Sequence, residues 1–399
     1  MDQGVVRKEV AAMRDMLEKG CETPQERIRI IGVGKAGCSA VGRIVARWQN
    51  RLATVAVHTN EKQLSTSRSP IRIQIGAAVT KGMGAGGDPD AGRQGAEDDA
   101  ELLRNVLVDT DIAFMVAGLG GGTGTGALPV LVKIARDAGV LTLCFVSTPF
   151  DFEGESRKIR AERGLAELVG IADITVVVPN QKLFEVTDGN ASLKDAFSQT
   201  DEALSMGVYA IWQLVSRHGL INVDFADLQN LAHHSGGACR LSHGQANGPQ
   251  RAGLAAGAAL DCQMLGREGV AESSALLVSV VGGSDITLRE INEITGMIGA
   301  AAGKGTRVFM GATIDADMAD NILVTIVAFP QWKQEPESAG VTPSAGKKHG
   351  NKNRPQATQT DLALTAMRKG RFKDVDPTMF EDEDMDIPTF IRRGIAVEK

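Results

Sequence analysis

No stretch constrains the fold of this 399-residue chain more than Gly118-Leu119-Gly120-Gly121-Gly122-Thr123-Gly124-Thr125-Gly126. It lies between an apolar run, Ile112 to Val116, that reads as a strand and a stretch that reads as helix from about Pro129. Residues without side chains let backbone N–H groups converge on an anion, and the threonines add hydroxyls, so the run suits a polyphosphate. A second loop, Gly32-Val33-Gly34-Lys35-Ala36-Gly37, follows the apolar run Ile28 to Val33 and opens a helix carrying Ala40, Val41, Ile44 and Val45. Backbone N–H groups at that helix start can also receive a phosphate. The second loop fits a dinucleotide fingerprint, but the next strand ends near Asn60 with only Glu61 close by to hold a ribose. It is not a Walker loop, because Ala36 rather than Ser or Thr follows Lys35.

The alternation continues. Thr54 to Val57, Val140 to Val146 and Ile174 to Val178 read as strands, and Leu102 to Val106, Val130 to Ala135 and Leu165 to Val169 as helices. Strands alternating with helices predict an α/β fold with a mostly parallel sheet. A long helix follows over Ser192 to Arg217, with Leu193, Phe197, Leu204, Val208, Ile211 and Val215 on one face and Ser192 with Asp195 as its cap. Gly236 to Gly269 has weak periodicity. Ala275 to Val281, Thr287 to Ile298, Thr306 to Thr313 and Ile322 to Phe329 read as a second, smaller α/β unit. The expected boundaries are a charged extension 1–26, a nucleotide domain 27–191, the central helix 192–218, the second domain 219–330, a disordered linker 331–383 and a terminal peptide 384–399.

Composition excludes several classes. A net charge of −6 without a long basic block argues against nucleic acid as a partner. Five scattered cysteines form no disulfide framework, which fits a reducing cytoplasm, and no apolar run is long enough for membrane insertion.

The run Gly118 to Gly126 resembles the signature loop of the tubulin/FtsZ GTPases, and its flanks are more similar to bacterial FtsZ than to tubulin. The resemblance runs from about Ile28 to Leu228, weakens to Gly269 and returns to about Phe329. It implies a Rossmann-like GTPase domain, a long central helix, a smaller α/β domain and a disordered tail, with GTP and Mg²⁺ as cofactors. Position by position it implies that Gly34, Lys35, Ala36, Gly37, Cys38 and Ser39 sit at the phosphates. Gly120, Gly121, Gly122, Thr123, Gly124 and Thr125 would complete the phosphate site. Thr80 to Pro89, with Ala85, Gly86 and Gly87, resembles the loop that senses the γ-phosphate; Glu153 and Arg157 would hold the ribose, and Asp201 the guanine. The chain departs from the family at Lys35, Ala36 and Cys38, where glycines are usual, at Ser39, where Asn is usual, and at Asn60, where Asp is usual.

Asn222-Val223-Asp224-Phe225-Ala226-Asp227 places two acids three residues apart at a helix start, able to orient one water or one cation. If Asp201 lies at the nucleotide, as the resemblance implies, a continuous central helix holds Asp224 and Asp227 up to roughly 35 Å away at about 1.5 Å per residue. They then serve only another subunit's nucleotide, stacked head to tail, and such a contact builds filaments. Asn222 would orient the γ-phosphate.

Two features lie apart. His233, His234, Cys239 and His243 fall close together but match no common zinc spacing. After an acidic run, Asp374 to Asp386, the segment Met385 to Arg393 places apolar residues at a polar end. It resembles the FtsZ peptide that docks to membrane-tethering division proteins (FtsA-, ZipA- or SepF-like), with Ile387, Pro388, Phe390, Ile391, Arg392 and Arg393 as contacts. The expectation is a cytoplasmic GTPase polymerising into the bacterial division ring at mid-cell, on the inner face of the membrane. Two alternatives stay open: a GTP-binding scaffold of the same fold with weak or absent hydrolysis, and a dinucleotide oxidoreductase favoured only by Gly32 to Gly37.

Overall fold

The computed structural model describes residues 27–48, 52–186, 192–216, 219–221, 223 and 225–332, with the backbone of Met379–Phe380 and Glu383–Asp384. The N-terminal extension, the linker, the docking peptide from Ile387 to Arg393, Asn222 and Asp224 lie outside the described residues.

The strands are β1 (Ile28–Val33), β2 (Thr54–His58), β3 (Ile71–Gln74), β4 (Ile112–Gly118), β5 (Leu141–Thr148), β6 (Ile174–Pro179), β7 (Ser235–Gly236), β8 (Cys239–Asn247), β9 (Ala275–Gly282), β10 (Arg307–Ile314), β11 (Asn321–Phe329) and β12 (Gln331–Trp332). Ten of them form one sheet in the order β10-β9-β11-β8-β6-β5-β4-β1-β2-β3. The helices that matter here are α1 (Gly34–Trp48), α2 (Pro89–Asp98), α3 (Thr123–Asp137), α4 (Glu155–Ile171), α5 (Leu193–Ser216), α6 (Phe225–His234), α7 (Arg251–Asp261) and α8 (Leu288–Ala301). Separately, Met379–Phe380 pairs antiparallel with Glu383–Asp384.

In the first half every ladder is parallel, with β1 flanked by β2 and β4. Such strands are covered on both faces and read as continuous apolar runs. In β1, Ile28 and Ile30 enter one core while Ile31 and Val33 enter the core on the opposite face. The second half is mixed: β9 and β10 run parallel, but β11 is antiparallel to both β8 and β9. The sheet passes from one half to the other through β6 and β8, where Val176 is paired with Cys239.

The central helix α5 begins as expected, with the Asp195 N–H donating to Ser192 Oγ at 3.2 Å. Met206, Tyr209 and Trp212 are buried, and the Tyr209 ring stacks on Trp48 at 4.0 Å. Its C-terminal part is tied to the second half. Tyr209 Oη donates to Asp315, and Gln213 Nε2 donates to the same carboxylate at 2.8 Å. The chain then crosses to β10, where Ile221 and Ala312 exchange backbone hydrogen bonds of 3.3 and 2.9 Å. A helix anchored at both ends holds a fixed distance between them.

Two features differ from the expectation. The helix after the glycine run begins at Thr123, with Pro129 in its interior. Proline is common in a first turn, which makes Pro129 read as the start, whereas the small residues before it already pack as helix against α2. The weakly periodic stretch from Gly236 holds strand β8 and helix α7.

Candidate functional site: a nucleotide pocket at the switch point of the sheet

Strands β1 and β4 are neighbours, yet the helices that follow them leave to opposite faces. Ala40, Val41 and Ile44 of α1 join one core, and Ala127, Leu128 and Leu131 of α3 join the other. This divergence opens a crevice beyond the C-terminal strand ends, where α/β sheets bind ligands. Gly34, at φ +73, turns the chain there, and a Cβ on it would lie 3.0 Å from the Gly124 nitrogen, so the two helix starts abut. Both present unpaired N–H groups and positive dipole ends to one place.

That place is a cavity of about 340 Å³ lined by Lys35, Ala36, Gly84 to Gly87, Gly118, Gly120 to Gly124, Arg157 and Arg160, with His58 and Asn60 on one wall. Hydrogen bonds fix its shape. The Gly120 N–H donates to Thr125 Oγ at 2.9 Å, Arg160 Nε donates to the Gly120 carbonyl at 3.2 Å, and the Ala85 N–H donates to Thr59 Oγ at 3.1 Å. Thr59 Oγ also bonds to Thr123 Oγ at 2.6 Å. No carboxylate lines the cavity among the described residues, while three cationic side chains do, so it is built for a polyanion.

Beside it a recess of about 50 Å³ is lined by residues including Ala36, Glu153, Arg157, Asn180, Phe197, Thr200 and Asp201. Glu153 Oε1 accepts from the Phe150 N–H at 2.9 Å, and its other oxygen is 2.7 Å from Arg157. Ser39 Oγ donates to Asp201 at 2.5 Å. Burial pushes the Asp201 carboxyl above its ordinary value, while the Ser39 hydroxyl and the charges of Arg43 and Lys35 oppose the rise.

Lys35, Ala36, Ala85, Gly86, Gly87, Gly120 to Gly124, Glu153, Arg157 and Asp201 therefore converge from seven separate elements and loops on the cavity and its recess. Gly34 and Gly37 shape the turn behind the cavity without lining it, and Thr125 holds Gly120. Cys38 faces a neighbouring chamber. It donates weakly to the Gly32 and Val57 carbonyls, and burial pushes its thiol up to about 12. Asn60 is spent on structure: its Oδ1 accepts from the Gln63 N–H at 2.9 Å and its Nδ2 donates to the Met83 carbonyl at 2.7 Å. Asp227 is not brought to the cavity; it lies in α6, beyond the far end of α5. Of the histidines, His234 stacks on Trp332 at 4.8 Å. Arg160 and His58 escape sequence reasoning, although Arg160 stands one turn from Arg157 on α4.

Comparison with known proteins gives this geometry a lineage. Residues 27–188 match the GTPase domain of the tubulin/FtsZ family, and residues 237–329 match the FtsZ family C-terminal domain. The cell division protein FtsZ of Coxiella burnetii (strain RSA 493 / Nine Mile phase I) is 35% identical over 384 residues, covering 95% of this chain and 99% of the relative. The chain belongs to the FtsZ family. Among solved structures, an empty FtsZ dimer of M. jannaschii superposes with a TM-score of 0.71 at 31% identity, covering 86% of this chain and 98% of that one. CetZ2 from Haloferax volcanii, a GTPγS-bound protofilament, shares the fold at a TM-score of 0.62 and 23% identity, over 75% and 92% of the two chains. The FtsZ-family GTPase domain makes the protein a GTPase and removes the dinucleotide alternative that Gly32 to Gly37 leaves open. The mostly parallel α/β sheet of FtsZ with a C-terminal α/β region is the architecture that the alternation predicts. No helix among the described residues is long and apolar enough to cross a membrane.

Proposed function

We propose that this chain hydrolyses GTP at junctions between subunits of a head-to-tail filament that forms a bacterial division ring. The observation that carries this reading is the separation between pocket and acids. From Asp201 to the end of α5 at Ser216 the helix advances roughly 22 Å, and Asp227 follows after a further segment tied to β10. No subunit can apply Asp227 to its own triphosphate, but a neighbour stacked along the helix axis can.

The apolar surface fits such stacking. Met83, Phe152 and Leu193 are exposed by 75%, 57% and 57% near the pocket, and Leu220 and Ile221 by 64% and 41% near the acidic loop. Two different exposed apolar ends make a heterologous contact that does not close.

In this reading the glycine loops and the starts of α1 and α3 hold the phosphates, Glu153 with Arg157 holds the ribose, and Asp201 accepts N–H groups of guanine after Ser39 turns away. Asp224 and Asp227 of the next subunit orient water in line with the γ-phosphate, and Asn222 positions that phosphate. Mg²⁺ would enter on the triphosphate, held by phosphate oxygens and water, because none of the described residues lining the cavity is a carboxylate; bound there, it would neutralise developing charge. The segment with Ile387, Phe390 and Ile391 would dock to membrane-tethering division proteins and hold the filament at the inner face of the membrane. The scaffold reading, with GTP bound and little turned over, is favoured by one observation: Asn60 puts no charge near the phosphates.

Mixing two inactive variants tests the shared site. Asp201→Ala disables the pocket and Asp227→Ala disables the loop, so each alone is expected to be inactive. An equal mixture recovers about a quarter of wild-type turnover if junctions form at random. A mixture no more active than its components contradicts the reading.

Acidification gives a second test. The raised Asp201 carboxyl takes up its proton at higher pH than an ordinary Asp at 3.8. The ionised form accepts from guanine, so affinity for GTP is full above the raised pKa and falls as the pH drops through it. In Asp201→Asn, titrated with GTP by calorimetry over the same range, this component of the pH profile disappears; an unchanged profile contradicts the role of Asp201.

A further inference from the structure

We propose that Arg160 is a positioning residue of the GTP site: by holding the Gly120 carbonyl against α4 it aims the Gly121 N–H into the glycine cavity as a fixed donor to a nucleotide phosphate. The inference rests on the reading of that cavity as the nucleotide pocket, and adds to it a residue that the phosphate and ribose assignments leave idle.

Peptide geometry carries the argument. Arg160 Nε donates to the Gly120 carbonyl at 3.2 Å, and the Gly120 N–H donates to Thr125 Oγ at 2.9 Å. Both polar groups of Gly120 are therefore tied down, at a φ of +92° that favours glycine. The loop also lies directly on α4, since a Cβ at Gly120 would stand 2.7 Å from the Arg157 carbonyl oxygen. In a trans peptide a carbonyl and the N–H that follows it point in opposite directions, and no peptide among the described residues is cis. The bond that turns the Gly120 carbonyl to α4 thus turns the Gly121 N–H away from α4. Gly121 lines the cavity, its N–H meets no acceptor among the described residues, and a Cβ on it would meet nothing within 4 Å. A donor already fixed in place needs no reorganisation when an anion arrives, which is what makes such a group effective.

The guanidinium suits this role. It is half-buried, and its second bond runs from Nη1 to Ser156 Oγ at 2.8 Å, on the preceding turn of the same helix. Neither partner is a carboxylate, and Arg160 has no ion pair among the described residues, so its charge stays uncompensated at the cavity wall. Arg157, one turn earlier, differs, because Glu153 lies 2.7 Å from its guanidinium. A planar fork makes two bonds in fixed directions at once, which the flexible ammonium of a lysine does not.

The test uses full-length protein and GDP. Binding to wild type is measured first by calorimetry; no binding there fells the pocket reading itself, and this inference with it. Arg160→Met, of similar length and neutral, is expected to bind GDP at least tenfold more weakly, as loss of a charge-assisted hydrogen bond implies, and Arg160→Lys to recover part of the loss. Protein labelled with ¹⁵N-glycine gives a readout that a merely structural role would not move. The Gly121 amide, identified by its absence in Gly121→Ala, shifts downfield when GDP saturates wild type, and shifts less in GDP-saturated Arg160→Met. Equal GDP affinity in wild type and Arg160→Met overturns the role of Arg160. Weakened affinity with an undiminished Gly121 shift also overturns it, leaving Arg160 as a source of charge alone, and a Gly121 amide that does not move in wild type removes that N–H from phosphate binding.

Discussion

Asp227→Ala is expected to lower GTP turnover at least a hundredfold while GTP still binds and filaments still form, in greater mass than wild type because their junctions no longer turn over. Positioned acid–base groups contribute about 10² to 10⁴ in rate, and Asp227 stands at the start of α6, where an acid is also favoured by the helix dipole. The dipole contribution is worth about 0.3 to 1 kcal/mol in stability and nothing in turnover. Asp227→Asn preserves the shape of the side chain and removes the charge that polarises water, along with that small dipole contribution. The account expects Asn to be nearly as inactive as Ala, with a thermal midpoint close to wild type. Turnover within threefold of wild type in either variant, measured by phosphate release at saturating GTP, removes Asp227 from the chemistry.

Gly37→Ala is expected to destabilise the nucleotide domain more than any other single methyl tested in the Gly32 to Gly37 loop. A Cβ at Gly37 would lie 2.0 Å from the Val116 carbonyl oxygen and 3.0 Å from the Gly32 carbonyl carbon, both backbone atoms of central strands. Neither can step aside without breaking the ladder between β1 and β4, in which Gly32 is paired with Val116. Overpacking of this kind costs about 1 to 3 kcal/mol and sometimes more, and at roughly 2 to 4 °C per kcal/mol the midpoint falls by several degrees. Gly121→Ala is the control, because a Cβ there meets nothing within 4 Å. Equal midpoints for the two variants contradict the close packing of α1 against β4.

The alternation of strands and helices was legible because the first half is parallel. Its inner strands are buried on both faces, so each reads as a largely apolar run, whereas the edge strand β3, Ile71–Gln74, with Arg72 exposed, gives no such signal. Strand β8 was not legible for the converse reason. It alternates buried and exposed positions irregularly, with Arg240, Gln245 and Asn247 exposed, and it gains its place from pairing with β11, far along the chain. The glycine loops announce themselves because a backbone cradle for phosphate needs residues without side chains, a demand written directly in residue type. The Ser39 to Asp201 hydrogen bond spans 162 residues, and the orientation of His58 depends on a backbone N–H two residues on. No spacing rule encodes either contact. The distance from pocket to Asp227 was half legible: helix length can be read from periodicity, but the end of α5 is fixed by Tyr209 and Gln213 meeting Asp315, a contact made only in the folded chain.

The central claim is that one complete hydrolytic site requires two subunits. The most direct test is GTP turnover per subunit across a dilution series, with sedimentation of the same samples. The account predicts a threshold concentration above which turnover and pelleted protein appear together, with neither below it. Turnover per subunit that stays constant at every dilution, including those where nothing pellets, would mean that a single chain carries the whole site, and the shared-site mechanism would be wrong.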